Sequence, residues 1–250
     1  MKKHALTSMT LALLLAGTLP ATLAQAAGPK VPYTNEGFYS NEPTQKPVHF
    51  VSVEQIKESL KDQGPINVSF DIDDTLVHSS AYFRYGMDHF QIPGDERGEI
   101  SYLFNQEFWD FVAEQGDEFS IPKQSAYDLI HMHLERGDHI FFITGRTKHS
   151  KNENGVSTKT SKTLQRFFDL PEEVFIDYTA DTPQEGYEYD KSYYIKKHDV
   201  SIHYGDSDDD ILAARECGIR GIRVQRAYNS TNKQKMNGGY DEEVLINSAW

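Results

Sequence analysis

The chain predicts an α/β fold: a Rossmann-like parallel sheet with helices on both faces. Three features carry that expectation. Short apolar runs alternate with stretches of helical spacing from residue 66 onward. The runs are continuously apolar, as strands covered on both faces must be. Several end in polar residues, and open sheets of this kind bind ligands beyond the carboxyl ends of their strands.

Residues 1–26 come before this pattern and form a separate object. Lys2, Lys3 and His4 make a basic start, LTSMTLALLLAGTL is an apolar stretch, and Ala24-Gln25-Ala26 is a small-residue cleavage site. Together these are the parts of a secretory signal peptide. The stretch is broken by Thr, Ser and Gly and is short for a membrane span. The sequence therefore predicts a bacterial-type signal peptide removed after Ala26 and an exported protein.

Residues 27–62 read as an arm followed by a short helix. The arm, to about residue 47, is rich in Pro, Gly and Asn without a sustained period. The helix is expected over Val51 to Leu60, with Ser52 as N-cap and Glu54 and Gln55 in its first turn.

Residues 63–250 carry the core. INVSFDI is the first predicted strand, and residues 77 to about 120, with their aromatics and Gly/Pro turns, look like a small cap inserted after it. IPKQSAYDLIHMHLERG reads as a helix, with Ala126, Leu129, Ile130, His133 and Leu134 near helical spacing and Gly137 as its stop. HIFFITG is a strand, STKTSKTLQRFFD a helix, EVFIDY a strand, KSYYIKKH a short helix and VSIHYGD a strand. DDILAARECG is helical, and GIRVQR is the last strand the pattern predicts.

Composition narrows the function classes. The formal charge is −13, and loss of the leader removes two lysines and no acids, giving −15. So acidic a chain repels nucleic-acid polymers and anionic membranes. A lone cysteine, Cys217, forbids an internal disulfide and reads as a small apolar residue of its helix. There is no GxxxxGK[ST] loop, no GxSxG elbow and no HExxH motif. HMH at 131–133 sits in a predicted helix, where residues two apart diverge, so these histidines read as core or surface side chains.

The polar strand ends carry the chemistry. In FDIDDT, Asp71 and Asp73 lie two apart at a strand exit and can face one site while Ile72 points into the core. A hard cation such as Mg²⁺ would relieve their crowding and orient a phosphate. Asp71 then suits nucleophilic attack on phosphorus, and Asp73 suits proton transfer to the leaving oxygen and from water. Asp74 reads as steadying the turn. In FFITGR, Thr144 and Gly145, followed by Arg146, offer a hydroxyl and a backbone N–H as an anion cradle.

In HYGDSDDDI, Asp206 leaves a strand where it can face Asp71. Asp210 can hold metal-bound water, and Asp208 and Asp209 read as helix caps. A calcium loop is excluded, because its position six is Ile211 and its position twelve Cys217. A site so acidic needs a fixed positive charge before it admits a phosphate, and Lys191 in YDKSYY has the order and position for it.

Four motifs in this order, DxDDT, a strand-end TGR, a lysine and GDSDDD, resemble the haloacid dehalogenase-like phosphatases. FDIDDTLVHSS, DEFSIPKQSAYDLIHMHLERGDHIFFITGR and HYGDSDDDILAARECGIRGIRVQRAYNST further resemble the bacterial secreted class B acid phosphatases. The likeness runs from about Val48 to the end of the chain and is weakest in the arm and between Met87 and Phe104.

It implies a periplasmic, magnesium-dependent, homotetrameric acid phosphatase, broad toward organic phosphomonoesters such as nucleotide, aryl and sugar phosphates and able to pass phosphate to alcohols. Asp71 would be nucleophile and metal ligand, and Asp73 would be acid/base and bind the metal through its carbonyl. Asp206 would be the other direct ligand, and Thr144, Gly145 and Lys191 would hold phosphate. Phe83 and Trp109 would wall an apolar pocket for the organic group, although the same aromatics also read as ordinary packing. Phosphomutase or dehalogenase chemistry and a non-enzymatic phosphate binder are the rivals. Asp73 argues against dehalogenation, which needs no protonated leaving group, and the presence of both Asp71 and Asp73 argues against the binder.

Overall fold

The computed structural model describes residues 48–151, 159–180, 185–232, 234 and 239–250. The predicted leader and arm lie outside these residues, as do the first two positions of the predicted helix at 157–169.

In chain order the elements are β1 (His49–Val51), α1 (Val53–Ser59), β2 (Asn67–Phe70), β3 (Val77–His78), α2 (Ser80–His89), a 3-10 helix (Gly98–Phe104), α3 (Gln106–Glu114) and a 3-10 turn (Gly116–Phe119). Then come β4 (Ile121–Pro122), α4 (Gln124–Arg136), β5 (His139–Thr144), α5 (Lys159–Phe168), β6 (Ile176–Tyr178), α6 (Asp190–Lys197), β7 (Val200–Gly205), α7 (Asp208–Glu216), β8 (Arg220–Val224) and β9 (Glu243–Leu245).

Seven strands form one sheet in the order β1-β9-β8-β7-β2-β5-β6, and every pairing in it is parallel. The apolar runs become its centre. Phe142 of β5 packs with Val68, Phe70, Leu129 and Phe168 on the face covered by α1, α4 and α5. Its neighbour Ile143 packs with Ile195, Ala213 and Cys217 on the face covered by α6 and α7. Adjacent strand residues point to opposite faces, so one continuously apolar strand serves both layers.

Local chemistry sets the boundaries. Ser52 and Gln55 close a capping box that starts α1. Gly137, at φ 78°, ends α4 in the left-handed conformation. Two strands depart from the sequence reading. The pattern predicts nothing beyond Arg226, yet β9 pairs with β8 and carries β1 at the sheet edge. Each has three residues, too few for periodicity to register.

β3 and β4 pair antiparallel outside the main sheet. Between them residues 80–119 build their own apolar cluster from Tyr82, Tyr102, Phe108, Trp109 and Val112. Gly86 lets α2 approach this cluster, since a Cβ there would meet the Phe108 ring at 2.4 Å. Among the described residues no helix is long and apolar enough to cross a membrane.

β2 is flanked by β5 on one side and β7 on the other. The order of connections reverses there, which makes the carboxyl end of β2 the place where an open sheet of this kind leaves a crevice.

Candidate active site

The chain leaves β2 at Asp71, whose N–H still donates to the Tyr204 carbonyl of β7 at 2.9 Å. It then turns sharply, with Asp74 at φ 56° and its N–H donating to the Val77 carbonyl at 2.8 Å. Aspartate tolerates this left-handed conformation better than a branched residue would. The Asp74 carboxylate accepts a hydrogen bond from Ser230 Oγ at 2.5 Å and lies 3.3 Å from His78 Nδ1, so it does steady the turn. Lys123, missed in the sequence, ties the turn to the end of β8. Its buried ammonium donates to the Asp74 carbonyl at 2.6 Å and the Gln225 carbonyl at 2.7 Å. Burial pulls this lysine down to about 8, against the pull of the Asp74 and Asp206 charges.

Lys191, from the first turn of α6, reaches the centre of the site. Its Nζ donates to Asp71 Oδ1 at 2.6 Å and Asp210 Oδ1 at 2.5 Å. Burial disfavours its charge, but the two carboxylates outweigh that and hold it well above the usual lysine range. Asp71 behaves in the opposite way. Burial first, then the Asp210 and Asp73 charges, push it up to about 7 against Lys191.

Asp206 leaves β7 and accepts from Arg226 Nη1 at 3.2 Å, while its backbone carbonyl accepts from the buried Arg223 at 2.8 Å. Burial and the neighbouring Asp71, Asp74 and Asp210 raise Asp206 well above the carboxylate range in spite of Arg226.

Asp71, Asp206 and Asp210 each present an oxygen within 4.8 Å of the others. Burial, and then the charges of neighbouring acids, raise two of the three above the normal carboxylate range, which is the condition a hard divalent cation relieves. The donors are all carboxylate oxygens, so the set suits such an ion. Asp210 differs from the other two. Its Oδ2 accepts from Ser207 N at 3.0 Å and Ser207 Oγ at 2.7 Å, and its Oδ1 lies 3.0 Å from His203 Nε2 as well as accepting from Lys191. Burial works to raise it, but Lys191 and His203 hold it well below the usual range. Its oxygens thus meet four protein donors while it stays grouped with Asp71 and Asp206. The N-cap of α7 is likewise Ser207, with Asp210 closing the capping box. Asp208 is turned instead to Arg223, at 2.8 Å, and Asp209 lies in the first turn of the helix.

Asp73 sits across the mouth in an unforeseen clasp. Arg146 Nε donates to its Oδ2 at 2.8 Å and Nη2 to its Oδ1 at 3.0 Å, and the Tyr82 hydroxyl also donates to Oδ1. Burial opposes ionisation, yet Arg146 holds Asp73 below the usual carboxylate range. The same guanidinium donates to Asp117 Oδ1 at 2.9 Å and to Tyr82 Oη at 2.8 Å, which joins the inserted segment to the core. Arg146 thus serves the protein's own acids. Thr144 is buried at the end of β5, and Gly145 beside it is exposed. A Cβ on Gly145 would meet no protein atom within 4 Å, so packing by the chain itself does not demand glycine there.

Trp109 is buried in the inserted segment, its Nε1 donating to the Leu103 carbonyl at 2.7 Å, and Phe83 packs edge-on to it at 6.2 Å between centroids. Both serve the packing of that segment. Arg226 could have been found by the rule that found Asp71, because it lies where a predicted strand ends, whereas Arg223 lies inside that strand. Lys123, Asp117, Tyr82 and His203 carry no comparable signal.

Two aspartates thus leave the central strand of a parallel sheet, and a lysine and further aspartates converge on them from neighbouring elements. The chain matches the family described as HAD superfamily, subfamily IIIB (Acid phosphatase) over residues 3–235. It is similar to a class B acid phosphatase of Haemophilus parainfluenzae, at 49% identity over 89% of this chain and 90% of the relative. A class B acid phosphatase of Haemophilus influenzae is 44% identical over 99% of this chain and 100% of its own length. One of Salmonella typhimurium is 43% identical over 82% of each chain. The chain belongs to this family of acid phosphatases.

Proposed function

We propose that the chain is a secreted, Mg²⁺-dependent acid phosphatase that hydrolyses small organic phosphomonoesters through an aspartyl-phosphate on Asp71. The observation that carries the reading is the Lys191 bridge, a partly buried ammonium donating at 2.6 Å to Asp71, the carboxylate that follows the switch-point strand. It supplies the fixed charge that lets a phosphate approach an acidic nucleophile.

One Asp71 oxygen is held by Lys191, and the other attacks phosphorus as the bond to the leaving oxygen breaks. Asp73 gives the leaving oxygen its proton, then takes one from the water that attacks the phosphoryl group and restores Asp71. Arg146 favours the ionised Asp73 that the second half requires, and an acidic medium favours the protonated form that the first half requires. Thr144 and Gly145 face the phosphate together with Lys191. Asp71 and Asp206, with the Asp73 carbonyl, would hold Mg²⁺, which offsets the negative charge of carboxylates and phosphate together. Uncatalysed hydrolysis of phosphate monoesters is among the slowest reactions enzymes accelerate, so positioning, a metal and a covalent step are each warranted.

Nucleotide, aryl and sugar phosphates are the proposed substrates. An alcohol attacking the phosphoryl group in place of water would give phosphotransfer. The formal charge of −13 supports small substrates over polynucleotides or anionic membranes. The leader at residues 1–26 supports a periplasmic location, and the family resemblance supports a homotetramer. The test is Asp71→Asn assayed with an aryl phosphate and Mg²⁺. Turnover should fall by on the order of 10³-fold or more, while the wild type should lose activity to a chelator and regain it with Mg²⁺. Near-wild-type turnover in the variant would remove Asp71 as nucleophile.

A further inference from the structure

Ser69 of β2 and His203 of β7 are direct register partners. Ser69 is two residues before Asp71 and His203 two before Gly205, so all four lie on one face of the sheet. Both side chains are fully buried. An imidazole placed there costs free energy unless both ring nitrogens are satisfied, and both are. Nδ1 lies 2.7 Å from Ser69 Oγ, and Nε2 lies 3.0 Å from Asp210 Oδ1. An ionised carboxylate only accepts, so Nε2 carries the proton it shares with Asp210.

Gly205 completes the arrangement, because a Cβ there would stand 2.0 Å from Asp210 Cγ. The Asp210 carboxylate therefore fills the space over a residue without a side chain. Four donors fix it: Lys191 and His203 on Oδ1, and Ser207 N and Oγ on Oδ2. A carboxylate has about four lone-pair sites, so these four donors account for how firmly Asp210 is held.

We propose that His203, held by Ser69, is a positioning residue for phosphate binding: it fixes the Asp210 carboxylate that aims Lys191 at Asp71 and at the incoming phosphate. The inference rests on the phosphatase reading of the same site. It makes Asp210 an anchor for Lys191. Ser69 sets the ring, the ring sets the carboxylate, and the carboxylate sets the ammonium.

The test is the affinity of the Mg²⁺-loaded protein for inorganic phosphate, measured by titration calorimetry, alongside kcat and KM for an aryl phosphate. His203→Phe keeps a planar aromatic ring, though a larger one, and removes the donor, and should weaken phosphate binding about tenfold, the scale of one lost charge-assisted hydrogen bond. KM should rise more than kcat falls. His203→Gln, whose amide can donate to Asp210, should recover part of the loss. Asp210→Asn already uncouples Lys191, so adding His203→Phe to it should change phosphate affinity no further. Should His203→Phe fail to fold, Ser69→Ala carries the same expectation with a smaller loss.

A folded His203→Phe, or in its place Ser69→Ala, with wild-type phosphate affinity overturns the proposal. Full multiplication of the two effects in the double variant also overturns it. A wild type that binds phosphate but turns over no monoester would instead sink the phosphatase reading, and the calorimetry would still report on His203.

Discussion

Gly205 shows how closely single residues govern this site. A Cβ at that position would lie 2.0 Å from Asp210 Cγ and 2.3 Å from both Asp210 Cβ and Oδ2. The clash is with the anchored part of the side chain, so Asp210 must leave Lys191 or the strand must shift. Gly205→Ala should therefore lower kcat/KM for an aryl phosphate by roughly 10²-fold, the usual scale for an ångström of misplacement. Activity within a few-fold of wild type would show that Asp210 can move freely. Legibility in the sequence follows the same geometry. Asp71, Asp73 and Asp206 were visible because they end or follow apolar runs, and Lys191 because an acidic site needs a cation. His203 was not visible, since its partner Ser69 lies 134 positions away and each looks like an ordinary strand residue alone. Arg146 was noticed, but its commitment to Asp73 and Asp117 depends on a packing between segments that no local pattern encodes.

Among the elements, the β8–β9 pair does more than extend the sheet. Arg223, fully buried in β8, donates to the Asp206 carbonyl at 2.8 Å, to Asp208 Oδ1 at 2.8 Å and to Glu242 Oε1 at 3.1 Å. One guanidinium thus joins the end of β7, the start of α7 and the residue preceding β9. The alternation of apolar runs made the central strands and their helices legible, but it gave no sign of β9, whose place depends on β8 and on the Arg223–Glu242 pair. Removing one partner of a buried ion pair leaves the other charged without compensation, at a cost of about 3–5 kcal/mol. Arg223→Leu should show that loss in urea unfolding. It should also weaken Mg²⁺ binding, because Asp206 loses the contact that fixes its backbone. A loss below about 1 kcal/mol, with unchanged Mg²⁺ affinity, would show that β9 docks without this residue.

For the molecule as a whole, the buried acids and buried imidazoles set opposite dependences on pH. Burial raises Asp71 to about 7 and Asp206 well above the carboxylate range. Unfolded, each would titrate near 4. Between those limits the folded, metal-free protein holds more protons, so these acids favour folding at low pH and that contribution is lost as pH rises through about 7. His133 and His203 are lowered, chiefly by burial. The unfolded chain then holds more protons below about 6.5, so the imidazoles favour folding above that value and weaken it below. A divalent cation selects the ionised carboxylates and competes with their protons, so it counters the first effect without touching the second. Stabilisation by Mg²⁺, which follows its concentration relative to its Kd, should therefore be larger near pH 7.5 than near pH 5, bracketing the Asp71 value of about 7. Thermal unfolding with Mg²⁺ or with chelator at the two pH values measures it. An equal Mg²⁺-induced shift in Tm at both would mean that the raised acids are not the ones that hold the ion.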